Sequence, residues 1–380
     1  MGDWVWPAYV GILGGAIAFV LFMVPIVAIQ YRMYGRFTWL RFFGAAGLSV
    51  YGVALVAYTL LPLPDPADLQ CPPGGSVFQG IPFNFISDIQ RETAGLGITG
   101  ILTSRATLQV AFNVILFIPW GVIARRYLSW SIPVAVLTGA AASVLIELTQ
   151  FTGLWGLYDC AYRVGDVDDL ITNTLGALIG ALFAPLLLWF MPQRKELLAT
   201  RGRSRPVTVW RRWLGMVIDY AALSFLGAVF VILYRIGLMT LGMELPDDEN
   251  PVSQVLIYLI PGFLVFYLPA FYPSGASLGQ RAVWLKPEWP AARASRRFLR
   301  ASVTGGLYSV LGFLAAVVPV TVLDPLPGLV LFAAFIAVPL TKKRGLSGVL
   351  SGAEMIDARA GATIRSGPRP PSAPREGSGR

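Results

Sequence analysis

The chain has no histidine in 380 residues. That removes the commonest general base near neutral pH and the commonest transition-metal ligand. A Ser-His-Asp triad or a His-based zinc site within the chain is excluded. Charge is scarce as well. Charged residues make up 13% of the sequence, against about 25% in an ordinary soluble domain. Cysteine is limited to Cys71 and Cys160.

Apolar residues dominate instead, at 55% with a mean hydropathy of +0.63. An integral membrane protein is the reading that fits. About 20 residues cross ~30 Å of hydrocarbon, with latitude for short or tilted segments. Nine segments qualify, near 8–30, 42–62, 107–124, 131–151, 168–191, 214–235, 253–273, 301–323 and 328–341. The last is the shortest. The first has no basic n-region, and Arg32, Arg36 and Arg41 follow it. It reads as a retained span rather than a signal peptide. The expected fold is all-α, a polytopic helical membrane bundle.

Loop charge sets the expected orientation. Arg32 to Arg41, Arg125 with Arg126, Arg194 to Arg212, Arg281 to Arg300, and Lys342 to Arg344 mark alternate loops. The intervening loops hold Asp65 to Glu92, Asp159 to Asp169, Glu244 to Glu249, and Asp324. The positive-inside rule puts the N-terminus outside and the C-terminus in the cytoplasm. The net charge of +9 is then a topology signal, with anionic lipid headgroups as partners and no nucleic acid. Both cysteines fall in outward loops, where an oxidising compartment permits a disulfide. A bond and two unpaired thiols both remain open, because a sequence does not supply the geometry.

The chain divides at a polar, basic stretch. Residues 1–191 carry five spans, 192–210 form a basic cytoplasmic linker, 211–358 carry four spans, and 359–380 are a Pro/Ser/Gly-rich tail expected to be disordered. The outer loop 63–105 is long for a connection between spans. Within it, FNFISDIQRETAG has the makings of a short interfacial helix.

The first half holds a polar stripe at Arg163, Asp166, Asp169, Asn173, Gly176 and Gly180. Spacings of three and four place these residues on one helix face. Gln109, Asn113 and Pro119 lie in the third expected span, and Glu147 and Gln150 one turn apart in the fourth. Asn113, Glu147, Asp169 and Asn173 are expected at a similar depth in the outer half of the membrane, with Arg163 as the cationic partner of the acids. Intramembrane ionisable groups are costly without a use. The plainer reading makes Gly176 and Gly180 a small-x3-small packing face, the asparagines interhelical glue, and Glu147 with Arg163 an ion pair.

The motifs N-x3-F-x-P-x-G at Asn113 to Gly121, E-x2-Q at Glu147 to Gln150, and R-x2-D-x2-D-x3-N-x2-G-x3-G at Arg163 to Gly180 resemble the VanZ family over roughly residues 10–190. That family is named for a protein associated with low-level teicoplanin resistance. The resemblance implies a multi-pass protein of the bacterial plasma membrane with a role at the cell envelope. It implies no particular biochemical activity.

In the second half, Arg212 and Asp219 stand seven apart. They are followed by SGASLGQR at Ser274 to Arg281, the basic run RASRRFLRA, and KKRGLSGVLSGAEMID. These resemble the RDD family, membrane modules named for one Arg and two Asp, over about 207–357. Ser347 and Gly348 stand where that family usually has His and Asp. Arg212 and Asp219 read as an ion pair or structural anchor; Asp219 as a proton or cation carrier is the alternative. The two glycines of Ser274 to Arg281, beside basic residues, suggest a cradle for lipid phosphates, without a Walker pattern.

The expected function is binding or moving an amphipathic lipid or lipid-linked precursor at Asn113, Glu147, Gln150, Arg163, Asp166, Asp169 and Asn173. Arg163 would grip a phosphate or carboxylate. No cofactor, metal or catalytic residue is assigned. Competing readings are an ion- or proton-coupled transporter, a membrane enzyme using Asp166 and Asp169 as acid and base or divalent-cation ligands, and an accessory subunit with a membrane protein partner or a second copy.

Overall fold

The computed structural model describes residues 2–67, 69, 71, 78–247, 249–291 and 293–360. The tail from Gly361, together with Asp68 and Asp248, lies outside the described residues.

The chain is an all-α polytopic membrane protein. Its long helices are α1 (Gly2–Tyr34), α2 (Trp39–Leu60), α3 (Arg105–Val122), α4 (Ile132–Phe151), α5 (Val167–Leu187) and α6 (Val209–Thr240). Together with the span Pro251–Phe271, they give seven membrane-crossing candidates among the described residues. The short α7 (Ala294–Ala301) comes next. The eighth and ninth expected spans are both helical. α8 (Leu307–Val317) continues from α7 through the wider helical turn Ser302–Gly306, and α9 (Leu326–Leu340, 15 residues) is bent by 75° into α10 (Gly345–Ser351). Pro319 explains the end of α8, since the residue before a proline is pushed out of helical conformation. Pro339 and the left-handed backbone at Lys342, Lys343 and Gly345 account for the bend after α9.

The chain folds as two compact units, residues 1–23 with 38–197 and residues 24–37 with 198–380. Residues 24–37 of the α1 region thus pack with the second unit, although they precede the 192–210 linker in sequence.

In the first unit, α3 and α5 approach most closely. A Cβ added at Gly176 would strike the Val114 carbonyl, at Gly180 the Ile118 carbonyl, and at Gly121 the Ala177 carbonyl. Small residues on both helices permit this contact. One end of the unit is tied by arginines. Arg41 donates to the Tyr127 carbonyl at 2.7 Å, and Arg126 to the Leu188 and Trp189 carbonyls at 2.9 and 3.2 Å. The other end carries the Cys71–Cys160 disulfide, with Cα atoms 5.7 Å apart, and a two-residue parallel pairing of β1 (Phe78–Gln79) with β2 (Gly165–Asp166). The helix expected in the outer loop spans Asn84–Glu92.

In the second unit, β3 (Leu285–Glu288) pairs antiparallel with β4 (Glu354–Asp357), Leu285 opposite Asp357. Buried Asp357 accepts from Arg211 at 2.7 Å and from Arg359 at 2.6 and 2.8 Å. Arg211 also donates to the Val283 and Trp284 carbonyls, both at 2.8 Å. Burial disfavours the charged Asp357. The hydrogen bonds from Arg359 and Arg211 outweigh it and hold the carboxyl well below the usual range. These bonds join the start of α6 to the Val283–Trp284 turn before β3 and to the end of β4.

Candidate functional site

The site of the first unit begins at the start of α5. Asp166 is its N-cap, accepting from the Asp168 N–H at 2.8 Å, and Asp168 and Asp169 occupy the first turn. Carboxylates there meet the positive end of the helix dipole. Burial nevertheless raises the Asp166 pKa, against the Asp168 N–H and with the like charges of Asp168 and Asp88. Asp168 points the other way and is buried. Its oxygens accept from the Phe83 and Phe85 backbone N–H groups at 2.6 and 2.8 Å. It thereby pins the outer loop over the start of α5.

All seven expected ligand residues line one open cavity of about 760 Å³. The Asn113 amide donates to Asp169 at 2.5 Å, and the Asp166 N–H donates to Glu147 at 3.0 Å. Asn173 donates to the Ser143 hydroxyl at 3.0 Å, while its own amide oxygen is buried without a partner. Gln150 donates to the Thr59 carbonyl at 2.5 Å. Leu108, Phe112 and Leu116 of α3 supply an apolar wall, with Tyr58 tilted against Phe112.

Two expectations are corrected. Arg163 forms no ion pair among the described residues. It donates to the Thr59 and Leu61 carbonyls at 3.2 and 3.4 Å, because α2 ends there with carbonyls that lack helical donors. Nor do Arg212 and Asp219 pair in the second unit. Seven helical residues span roughly 10.5 Å, and nearer groups intervene. Asp219 accepts from the Ser277 hydroxyl at 2.5 Å and the Gly279 N–H at 2.7 Å, while Arg212 donates to the Arg344 carbonyl at 3.0 Å.

The sequence reading missed Asp168, Ser143 and Arg105 at this site. Arg105 lines the cavity mouth, exposed and with no ion pair among the described residues. Asp168 stood in plain view in DVDD, but its off-stripe position argued against it. In the second unit the reading missed Asp357, Arg211 and Arg359. Among the described residues, no group of three or more His, Cys, Asp or Glu is arranged to hold a metal ion.

Fold and site together define a multi-pass helical membrane protein with a polar, partly apolar-walled cavity in its first unit. A family model described as VanZ/LLP1 matches residues 48–189. That stretch is VanZ-like, and it contains every cavity-lining residue except Pro7. No curated protein and no solved structure matches the chain.

Proposed function

We propose that the first unit binds, or moves, an amphipathic lipid or lipid-linked envelope precursor in the bacterial plasma membrane. The observation that carries this reading is the two-sided cavity. One wall is apolar, and the other presents Asn113, Glu147, Asp166, Asp169 and Asn173. Inside the rim, where Arg105 stands, its acceptors outnumber its free donors, since Arg163 and Gln150 already serve the end of α2. A headgroup rich in hydroxyl or amine donors suits that wall better than a bare phosphate. The VanZ-like stretch supports a cell-envelope role, with glycopeptide resistance of the teicoplanin type as its context. The RDD-like reading of the second half rests on the motifs at Arg212, Asp219 and Ser274 to Arg281.

Native mass spectrometry with lipid extraction tests this on wild type and Asp169→Asn. A co-purifying lipid with a hydroxylated or amine headgroup that is depleted in the variant is the expected result. A lipid-free wild type carrying a stoichiometric protein partner would overturn it in favour of an accessory subunit. One observation favours a second reading, proton-coupled transport. Glu147 lies in α4 and Asp169 in the first turn of α5, both helices apolar enough to cross a membrane, with no ion-pair partner among the described residues. Proton flux in vesicles unchanged by Glu147→Gln would count against it.

A further inference from the structure

The second unit contains its own, smaller cavity of about 90 Å³, enough for several waters. Its polar lining includes Arg212, Asp219, Ser277, Arg297, Arg300 and Ser347. Leu223, Phe266 and Leu331 form an apolar side.

The charges in this cavity are mismatched. Both Asp219 oxygens accept from neutral donors, the Ser277 hydroxyl and the Gly279 N–H. The arginines are left with neutral partners. Arg212 and Arg300 are only 5% and 8% exposed. Arg300 reaches the Gly275 carbonyl at 3.3 Å and the Met355 sulfur at 3.8 Å. Arg297 donates to the Tyr272 carbonyl at 3.0 Å. The Nε atoms of Arg212, Arg297 and Arg300 are all buried without a hydrogen-bond partner. Burial lowers the Arg300 pKa, with Asp219 pulling the other way, to about 10, so the group stays charged at neutral pH.

A buried charge with unmade hydrogen bonds is costly. Three guanidinium groups around one already satisfied carboxylate repel a cation, so Asp219 is a poor cation or proton-relay site here. A planar guanidinium fork is matched by a tetrahedral oxyanion, which accepts at several oxygens at once. A nucleotide would overfill the space. We propose that this cavity binds a phosphate-type oxyanion, supplied either as free phosphate or as the phosphate of a lipid headgroup whose chains follow the apolar side. The argument uses the second unit alone and is independent of the lipid proposal for the first.

The test uses the full chain, purified in neutral detergent and stripped of lipid. Its thermal unfolding is followed with inorganic phosphate against chloride at matched ionic strength, then in the same phosphate-free detergent with added diacylglycerol or phosphatidic acid. A saturable rise in Tm with inorganic phosphate identifies the free ion. A rise with phosphatidic acid alone identifies the headgroup. Arg297→Gln, at the half-buried edge, should weaken the apparent affinity about tenfold. No rise with either probe in wild type, or an undiminished rise in Arg297→Gln, overturns the proposal. A second pair of variants does not depend on that one folding. Ser347→Asp places a carboxylate inside the cavity and should melt higher than Ser347→Asn, with the phosphate response lost. Ser347→Asp melting below Ser347→Asn would also overturn it.

Discussion

The two units use the same residue types to opposite ends. In the first, Arg163 is consumed by the carbonyls at the end of α2 and Arg105 stays at the rim, so the carboxylates of Glu147, Asp166 and Asp169 are left to line the interior of an open cavity. In the second, carboxylate is consumed: Asp219 is saturated by Ser277 and Gly279, and Arg212, Arg297 and Arg300 are left over. Which charge remains after the backbone has taken its share decides what each cavity can accept. Counting charged residues in the sequence gives neither answer.

The sharpest way to break this comparison is at Asp357, where neither sign is left over. It is buried and takes both Arg211 and Arg359. Asp357→Asn strands two buried cations, so it should destabilise the second unit by about 3–5 kcal/mol. Thermal unfolding in detergent would measure this. The pH response carries a sign. The folded pKa of Asp357 is depressed, so its contribution is complete above the ordinary Asp value near ~3.9 and is lost as pH falls below it. Asp166 is shifted upward, so its contribution is complete below that value and is lost as pH rises through the folded pKa. Amide exchange corrected for intrinsic rates should therefore show β4 loosening on acidification while β2 does not. Parallel loosening of both strands would remove the distinction.

The spans of the first unit and the stripe from Asp169 to Gly180 were legible because helical periodicity records which residues share a face. Asn113, Glu147, Asp169 and Asn173 reached one cavity for that reason. Arg163 and Asp166 precede α5 and do not lie on that face. Partner choice was not legible. It depends on where neighbouring helices stop, and the carbonyls that took Arg163 belong to a helix about a hundred residues earlier. Asp357 was missed because its partners lie two and 146 residues away, and no local pattern joins them. The end of the eighth span was placed at 323 rather than 317 because hydropathy ignores Pro319, whereas the ninth, expected over 328–341, is helical over Leu326–Leu340.

A middle-sized effect is expected at Asp168, which faces away from the cavity. Its two charge-assisted bonds to the Phe83 and Phe85 N–H groups hold the outer loop. Asp168→Asn keeps the shape and loses the charge, at a cost of about 1.5–3 kcal/mol. Exchange at residues 83–85 should quicken well before α5 is affected. If α5 and the loop loosen together, Asp168 serves the helix dipole rather than the loop.

The smallest effect separates the two arginines of the first cavity. Arg163 is exposed and donates to α2 carbonyls, whereas Arg105 stands at the mouth with no ion pair among the described residues. Arg163→Gln loses hydrogen bonds to a helix end and should cost about 0.5–1.5 kcal/mol, with Arg163→Lys recovering part of it because a cation still suits the negative helix terminus. Arg105→Gln should leave Tm unchanged and alter only the lipid recovered with the protein. If Arg163→Gln instead strips lipid at constant Tm, its guanidinium faces the ligand after all. The first cavity would then turn a second cation besides Arg105 toward its ligand, and the contrast between the units would weaken.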